Sequence, residues 1–599
     1  MSKTPTRPEP VEELITRHLD LWTSALKNRS TAGRGNSKKI ELYGINKLRE
    51  LILELAMRGL LMPQDPNDEP ASELLKKIAA DKARLIEEGN VKQGKALPTV
   101  DGHNQQILPL GWSWSCMAEL GEIAPRNKVS DNAVASFVPM PLISTRFDGQ
   151  HEQELKAWTE IKKGYTHFAD GDIAIAKITP CFENSKAAIF SGLSNGVGAG
   201  TTELHVARPY GEYVNRNFLL LYLKSPKFLS VGETKMTGSA GQKRVPTEFF
   251  AFNPLPLPPF NEQHRIVAKV DELMVLCDQL DQQTEASLTA HQTLVETLLN
   301  ALTTIDQSNT DKAASQQLFQ QAWQRIADHF DILFTTEQSI DRLKQTILQL
   351  AVMGKLVPQD PNDEPASELL TNIAAQKTQL VKEGKIKKEK PLPPITEKEK
   401  PFALPEGWAF CRLQMLVSIL GDGLHGTPTY DENGEYFFIN GNNLSNGLIT
   451  IKPGTKRVNL AEYEKNKKDL NANTVLVSIN GTIGNIAFFN QEPVILGKSA
   501  CYFNLLSGTE KLFIKRVIES PIFFRYALSQ ATGSTISNLG LKAMNYFPVP
   551  VPPTSEQNRI IAKVDELMAL CEQLKACLNH AQVTQLQLAD AITERTLAS

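Results

Sequence analysis

Apolar residues recur along the chain in two unlike patterns that alternate twice. Ile266, Val270, Leu273, Cys277 and Leu280 follow at spacings of four, three, four and three, lapse into Thr284, Ser287 and His291, and resume at Leu294, Leu298, Ala301 and Ile305. This is a heptad seam, the stripe that holds one face of a long helix against a partner. It returns as Ile560, Val564, Leu567, Cys571, Leu574, Leu578, Ala581, Leu588 and Ile592. Shorter helices are predicted over 48–61 (LRELILELAMRGLL) and 343–356 (LKQTILQLAVMGKL). Between the helical stretches, GDIAIAKITPCF at 171–182, EYFFINGNNL at 435–444 and NTVLVSINGTIGNIAFF at 473–489 are short β-branched or aromatic runs broken by Gly, Asn and Pro. Such runs read as strands and tight turns.

The alternation is a duplication. PQDPNDEPASELL at 63–75 recurs unchanged at 358–370, and EQHRIVAKVDELMVLC from Glu262 returns as EQNRIIAKVDELMALC from Glu556. LPLGW at 108–112 matches LPEGW at 404–408, and LPLPP at 255–259 matches VPVPP at 549–553. Two units of about 295 residues therefore follow one another. The flanks are nearly identical, whereas 113–250 and 409–547 share only a framework, as expected of one scaffold presenting two divergent modules. The helix at 48–61 has its partner at 343–356, after the first seam, and no third copy follows the second seam. That circular arrangement can close into pseudo-two-fold symmetry.

The expected fold class is α+β, with two α/β modules separated by long helices. The expected boundaries are a helical region at 1–62, a linker at 63–107, a first module at 108–260, a central helical region at 261–356, a linker at 357–403, a second module at 404–553 and a helix at 554–599. The linkers follow from charged, Pro-bearing composition at 81–100 and 382–405. A helix of about 40 residues spans roughly 60 Å, longer than the ~34 Å turn of DNA, and so suits a spacer. The competing reading, a long helix buried in an ordinary bundle, is kept open by the polar interruption at Thr284 and His291.

Composition narrows the function by exclusion. With 599 residues, 41% hydrophobic and 22% charged, the chain is a multi-domain globular protein. Its 64 Lys and Arg against 67 Asp and Glu mean that a nucleic-acid surface must come from local placement of basic residues. The seven cysteines form no CxxC pair, which speaks against a structural zinc and for a reducing cytoplasm. No signal peptide or membrane span is expected. Gly196-Val197-Gly198-Ala199-Gly200 matches a nucleotide-loop pattern but runs into a strand-like TTELHVARP, and Gly497-Lys498-Ser499 has Glu492 where a P-loop needs glycine. No NPPY-like or DPPY-like tetrapeptide and no HxxH or HxxxH pair occurs, and the Asp148, Glu154 and Lys156 spacing is common by chance. A recognition protein whose target has two different halves fits best.

The repeated PQDPNDEPASELL, the PPxxEQxRIxAKVDELM helices, the LPxGW starts, and the module signatures AKITPCFENSKAA (176–188) and SINGTIGNIAF (478–488) together resemble the specificity subunits of type I restriction-modification enzymes. RSTAGRG at 29–35 and the duplicated PQDPNDEP bring the type IB branch nearest. The resemblance implies a non-catalytic subunit with two target recognition domains separated by an antiparallel coiled coil, binding double-stranded DNA without a membrane. It also implies two modification subunits that bring S-adenosylmethionine and methylate adenine N6, and two restriction subunits that use ATP and Mg2+. No cofactor is expected on this chain, and a bacterial cytoplasm is implied. A self-contained methyltransferase or nuclease is opposed by the missing motifs, and a purely structural coiled-coil adaptor by the divergent modules.

Candidate DNA-binding residues lie in loops. Thr237 to Arg244 (TGSAGQKR) places Ser239, Gln242, Lys243 and Arg244 around a Gly-Ser turn, with Ser534 and Lys542 in the like place of the second module. Backbone N–H groups and Lys243 suit phosphate, and Arg244 suits a bidentate contact to a base edge. Lys177, Thr179, Ser478, Asn480 and Thr482 stand at strand ends, and His425 and Thr427 follow a Gly-Asp-Gly turn. Each set is also compatible with a solvated loop or ordinary turn. The basic Lys27, Arg29, Arg34, Lys38 and Lys39 could face DNA, a partner subunit or solvent.

Overall fold

The computed structural model describes residues 10–29, 39–92, 107–239, 241–304, 312–532 and 538–598. The chain forms two compact units, one of Met1–Ser287 with Ala581–Ser599 and the other of Leu288–His580. Two helices of 45 residues, Phe260–Thr304 and Thr554–Ala598, each contribute to both units. In the first unit, Val270, Leu273, Cys277 and Leu280 from the start of the first long helix share a core with Leu586, Ala589 and Ile592 from the end of the second. In the second unit, Val295, Leu299 and Leu302 from the end of the first helix share a core with Ile560, Val564 and Cys571 from the start of the second. Start meets end each time, as antiparallel pairing requires.

A third helix completes each bundle. Tyr43–Arg58 buries Ile45, Leu48, Ile52 and Leu55 at helical spacing in the first unit, and Glu337–Val352 buries Ile340, Leu343, Ile347 and Leu350 in the second. Polar ties fix their azimuth. Arg49 lies 2.6 Å from Asp278 and 2.7 Å from Asp281, and the Tyr43 hydroxyl donates to Asp590 at 2.7 Å. In the second unit Arg342 donates to Asn300 at 2.6 Å, and Lys575 pairs with Asp341 at 3.1 Å. The helix at 43–58 thus does in one unit what 337–352 does in the other, so the repeat inferred from sequence is a structural one.

The seam departs from a strict heptad. Leu294 and Leu588 stay about half exposed, and Val295 and Ala589 are buried in their stead. From Thr284 to Val295 is a step of eleven residues, three turns at about 3.67 per turn, so the stripe moves on by one position and needs less underwinding than a heptad does. Ile305 lies outside the described residues.

Each segment expected to be a linker holds a helix, while 383–405 beyond the second helix is turn and coil apart from one 3-10 turn at Glu397–Glu399. Ala71–Glu87 buries Ala71, Leu74 and Ile78, and Ala366–Lys382 buries Ala366, Leu369 and Ile373. Their charged composition marks the outer face of an amphipathic helix. The repeated PQDPNDEP before them is a latch. In the first unit Gln64 Nε2 donates to Gly59 O at 2.6 Å and to Glu262 Oε1 at 3.4 Å, and Trp112 Nε1 donates to Glu262 Oε2 at 3.0 Å. Arg265 pairs with Asp68 at 2.5 Å. In the second unit Gln359 donates to Gly354 O at 2.7 Å and to Glu556 at 3.1 Å, Trp408 donates to Glu556 at 3.0 Å, and Arg559 pairs with Asp363 at 2.6 Å. Gly59 ends its helix at φ 66°, where a Cβ would fall 2.5 Å from Pro109 and 2.9 Å from Trp112, so glycine is required there both for backbone sign and for room.

The glutamine after each glutamate fastens the module. Gln263 accepts from Asn215 N at 2.8 Å and donates to Pro258 O at 3.0 Å; Gln557 accepts from Glu510 N at 2.9 Å and donates to Pro552 O at 3.2 Å. Asn215 and Glu510 cap the module helices Arg216–Lys224 and Lys511–Glu519.

The modules repeat the topology of their central sheet. Strands Gly121–Ile123, Leu204–Pro209, Ile173–Ala176 and Ala187–Ile189 form an antiparallel sheet in the first, and Val417–Asp422, Ala500–Leu505, Thr474–Ser478 and Ile486–Phe488 form its counterpart in the second. A second sheet in each holds one parallel pair, Val134–Val138 with Val197–Gly200 and Tyr436–Ile439 with Val494–Leu496. The glycines of the GVGAG stretch serve this sheet: a Cβ on Gly200 would stand 2.4 Å from Val138 O, and no helix follows.

Glu262 is 1% exposed, and burial pushes its carboxyl above the usual carboxylate range. Glu262→Ala leaves the buried Trp112 N–H without an acceptor and is expected to cost about 2–4 kcal/mol, with the corresponding Glu556→Ala costing a similar amount. Denaturant unfolding of the two variants checks this; a loss under about 0.5 kcal/mol would show that the latch is dispensable.

Candidate nucleic-acid interface

Antiparallel pairing brings several chain segments to one end of each central sheet. In the first module Ala176 pairs with Leu204, and the chain beyond Ala176 continues against the 237–244 hairpin. Lys177 N donates to Glu203 O at 2.9 Å, Val245 N to Lys177 O at 2.8 Å, Thr179 N to Lys243 O at 3.0 Å, and Lys243 N to Thr179 Oγ1 at 3.2 Å. The hairpin closes through Thr237 and Arg244, whose N–H groups and carbonyls bond reciprocally at 3.0 and 2.8 Å. The strand end and the Gly-Ser loop therefore form one surface, with Lys177, Thr179, Gln242, Lys243 and Arg244 together. Ser239 is exposed at its tip and accepts from Gln242 N through its carbonyl at 3.0 Å.

Arg244 is held and not free. Its Nε and Nη2 donate to the two carboxylate oxygens of Glu203, each at 2.9 Å, and Nη1 donates to Gln242 O at 3.2 Å. The guanidinium holds Glu203 below the usual carboxylate range, with Lys177 adding to the effect. Beneath them His205 is 5% exposed, 2.9 Å from Val245 O through Nε2 and stacked on Phe250 at 5.1 Å. Burial pushes its pKa down to about 4, against the pull of the Val245 carbonyl and with a further push from Lys177.

The second module has the same frame with other residues on it. Ile479 N donates to Ser499 O at 3.0 Å, Leu539 N to Ile479 O at 2.8 Å, and Thr532 and Asn538 bond reciprocally at 3.0 and 2.9 Å. By this pairing Ile479 stands for Lys177, Ser499 for Glu203 and Asn538 for Arg244. Asn480 is half-buried opposite Asn538, and Thr482 is exposed in the following turn. Asp422 pairs with Cys501 and Ser478 with Ala500, so the exposed Thr427 and His425, bonded to Asp422 at 2.6 Å, emerge at the same sheet end.

Two expectations change. Ser478 is fully buried, with its hydroxyl 3.5 Å from Asn480 O, so it shapes the turn and presents nothing to a ligand. Lys542 lies on the helix Leu541–Tyr546, 5.6 Å from the Tyr546 ring, and matches the helix Thr247–Phe252, not Lys243 and Arg244. Counting from each TGS triplet to the next buried residue, Val245 or Leu539, would have set Asn538 against Arg244. Ser534 lies outside the described residues. Glu203 and His205 had no sequence signal, because a strand that alternates reads the same whatever its polar members do. Of the basic stretch, 27–29 pairs antiparallel with 39–41, and Lys27 Nζ lies 5.6 Å from the Tyr43 ring; Arg34 and Lys38 are outside the described residues. Among the described residues no group of three or more His, Cys, Asp or Glu could hold a metal, and no helix is long and apolar enough to cross a membrane.

Comparison with known proteins agrees with this geometry. The family described as "Type I restriction modification DNA specificity domain" matches residues 109–290 and 405–582, one stretch per module. The chain is 52% identical over 596 residues to the type I restriction enzyme EcoAI specificity subunit of Escherichia coli, covering 98% of this chain and all of that one. It is 49% identical over 599 residues to the EcoEI specificity subunit of the same species, again covering 98% of this chain and all of that one. A solved HsdS subunit from Thermoanaerobacter tengcongensis is 16% identical, covers 82% of this chain and 97% of its own, and superposes with a TM-score of 0.39, which carries none of the argument. The chain belongs to the type I restriction-modification specificity subunits. Its work is DNA recognition within a multisubunit complex, and it is not itself a catalyst.

His205 titrates low in the fold and near 6.5 when unfolded, so the unfolded chain takes up the proton first and stability falls as pH drops from about 6.5 toward 4. Replacing His205 with Gln is expected to remove about 3 kcal/mol of that acid sensitivity from the first module. Urea unfolding at pH 7 and pH 4.5 checks it: an acid-induced loss as large in His205→Gln as in the parent would place the sensitivity elsewhere.

Proposed function

We propose that this chain reads a bipartite, asymmetric DNA target, one half-site per module, and directs adenine methylation or restriction by its partner subunits. The observation that supports it is the set of unlike residues at matched positions of the two sheet ends: Glu203 against Ser499 and Arg244 against Asn538. The latch residues are the same in both copies. One frame with two different reading edges calls for two different half-sites. The two long helices set the unspecified spacer between them.

The complex is of the type IB branch, with two modification subunits bringing S-adenosylmethionine and two restriction subunits using ATP and Mg2+, in a bacterial cytoplasm. Lys177, Thr179, Ser239, Gln242 and Lys243 line the first edge; His425, Thr427, Asn480 and Thr482 line the second.

The purified chain alone is expected to transfer no methyl group, and the chain with its modification subunit to methylate adenines in two unlike half-sites about a fixed spacer. Sequencing the modified positions decides, and a palindromic motif would overturn the reading. Lys243→Ala is expected to weaken binding at every sequence and to lower the slope of log affinity against log salt by about 0.9, the share of one phosphate. Titrations on cognate and random duplexes across salt measure it; a slope equal to the parent's would remove Lys243 from the interface.

A further inference from the structure

Glu203 and Arg244 make a joint object whose outer edge is unspent. A guanidinium has five N–H donors. Glu203 takes one from Nε and one from Nη2, and Gln242 O takes one from Nη1, which leaves one hydrogen on each of Nη1 and Nη2. The Arg244 side chain is 43% exposed and that of Glu203 23%, so the pair sits at the surface of the sheet end and not beneath it.

We propose that Arg244 reads a guanine in the half-site of the first module and that Glu203 is the positioning residue that fixes its plane. This rests on the bipartite reading above and deepens it. A carboxylate bound along one edge of a guanidinium fixes the plane of the whole group, and a fixed plane suits the paired O6 and N7 acceptors of guanine in the major groove. A phosphate contact needs no such orientation, and the pair carries almost no net charge with which to attract one. Lys243, exposed beside it without a carboxylate, is better suited to phosphate. The carboxylate stays ionised at neutral pH, since Arg244 holds it below its ordinary range. In the second module the matched Ser499 accepts from Gly441 N at 2.9 Å, donates to Asn440 at 3.0 Å and makes no pair with Asn538. The device therefore belongs to one half-site only.

The test uses the full chain assembled with its modification subunit on a library of randomised duplexes, with methylated products sequenced. The parent is expected to require a G·C pair at one position of the half-site read by the first module. Arg244→Lys, which keeps charge and loses the fork, and Glu203→Gln, which keeps shape and loses the fixed carboxylate, are expected to relax that one position by roughly 10- to 100-fold. The other half-site should not change in either variant, nor the salt slope in the charge-preserving Arg244→Lys, which a merely structural weakening of the hairpin would not produce. Unchanged motifs in both variants, a uniform loss at all positions, or relaxation at a position that is not G·C would each overturn the proposal while leaving the bipartite reading intact. A parent complex that methylates without sequence preference would overturn both.

Discussion

Everything in each unit hangs on a glutamate and a glutamine buried side by side at the start of a long helix. The glutamate takes the tryptophan of the module start and the glutamine of the latch; its neighbour takes the cap of a module helix and a carbonyl of its own strand. Three pieces of chain far apart in sequence, at Gln64, Trp112 and Asn215, thus meet on two adjacent side chains that are 0–1% exposed. Withdrawn from water, these groups tolerate no loss of a partner, and the low-dielectric setting strengthens each bond that is made. This explains why the flanks repeat almost letter for letter. A substitution of Gln64 or Trp112 takes a partner from the buried glutamate, whereas Gln263 bonds main-chain groups, and the capping residue does differ between copies, Asn215 in one and Glu510 in the other.

Freedom is found at the opposite end of the module. The sheet end carrying Lys177, Glu203 and Arg244 in one copy and Ile479, Ser499 and Asn538 in the other is held by backbone hydrogen bonds. Ladder hydrogen bonds join main-chain groups, so exposed side chains there can change at little cost to the frame. Each module is thus tied down at the helix start by buried side-chain hydrogen bonds, and at the sheet end by main-chain pairing that lets side chains vary.

The duplication, the long helices and the strand-rich character of the modules were all legible in the sequence, because periodicity and repetition are properties of order along the chain. What it concealed was contact across it. The heptad pattern pointed to Leu294 and Leu588, and only packing could show the stripe moving on to Val295 and Ala589. The helices Ala71–Glu87 and Ala366–Lys382 looked like parts of linkers because one face of an amphipathic helix is as polar as a tether. The hairpin at 237–244 and the strand end at 177–179 stood as separate candidates, since nothing local announces that Thr179 and Lys243 are hydrogen-bonded. Ser478 and Lys542 were chosen by residue type, and type does not report whether a hydroxyl points inward or which helix a lysine rides on.

The exchange of long-helix segments has a consequence for synthesis on the ribosome. Residues 288–580 form one unit from a single unbroken stretch, whereas the other joins 1–287 to 581–599. Chains emerge from the N-terminus, so the segment made first must wait for the segment made last before Leu586, Ala589 and Ile592 can close its bundle. Until then the exposed stripe of Val270, Leu273 and Leu280 lacks its partner, and the unit encoded in the middle of the chain is the first that can be complete.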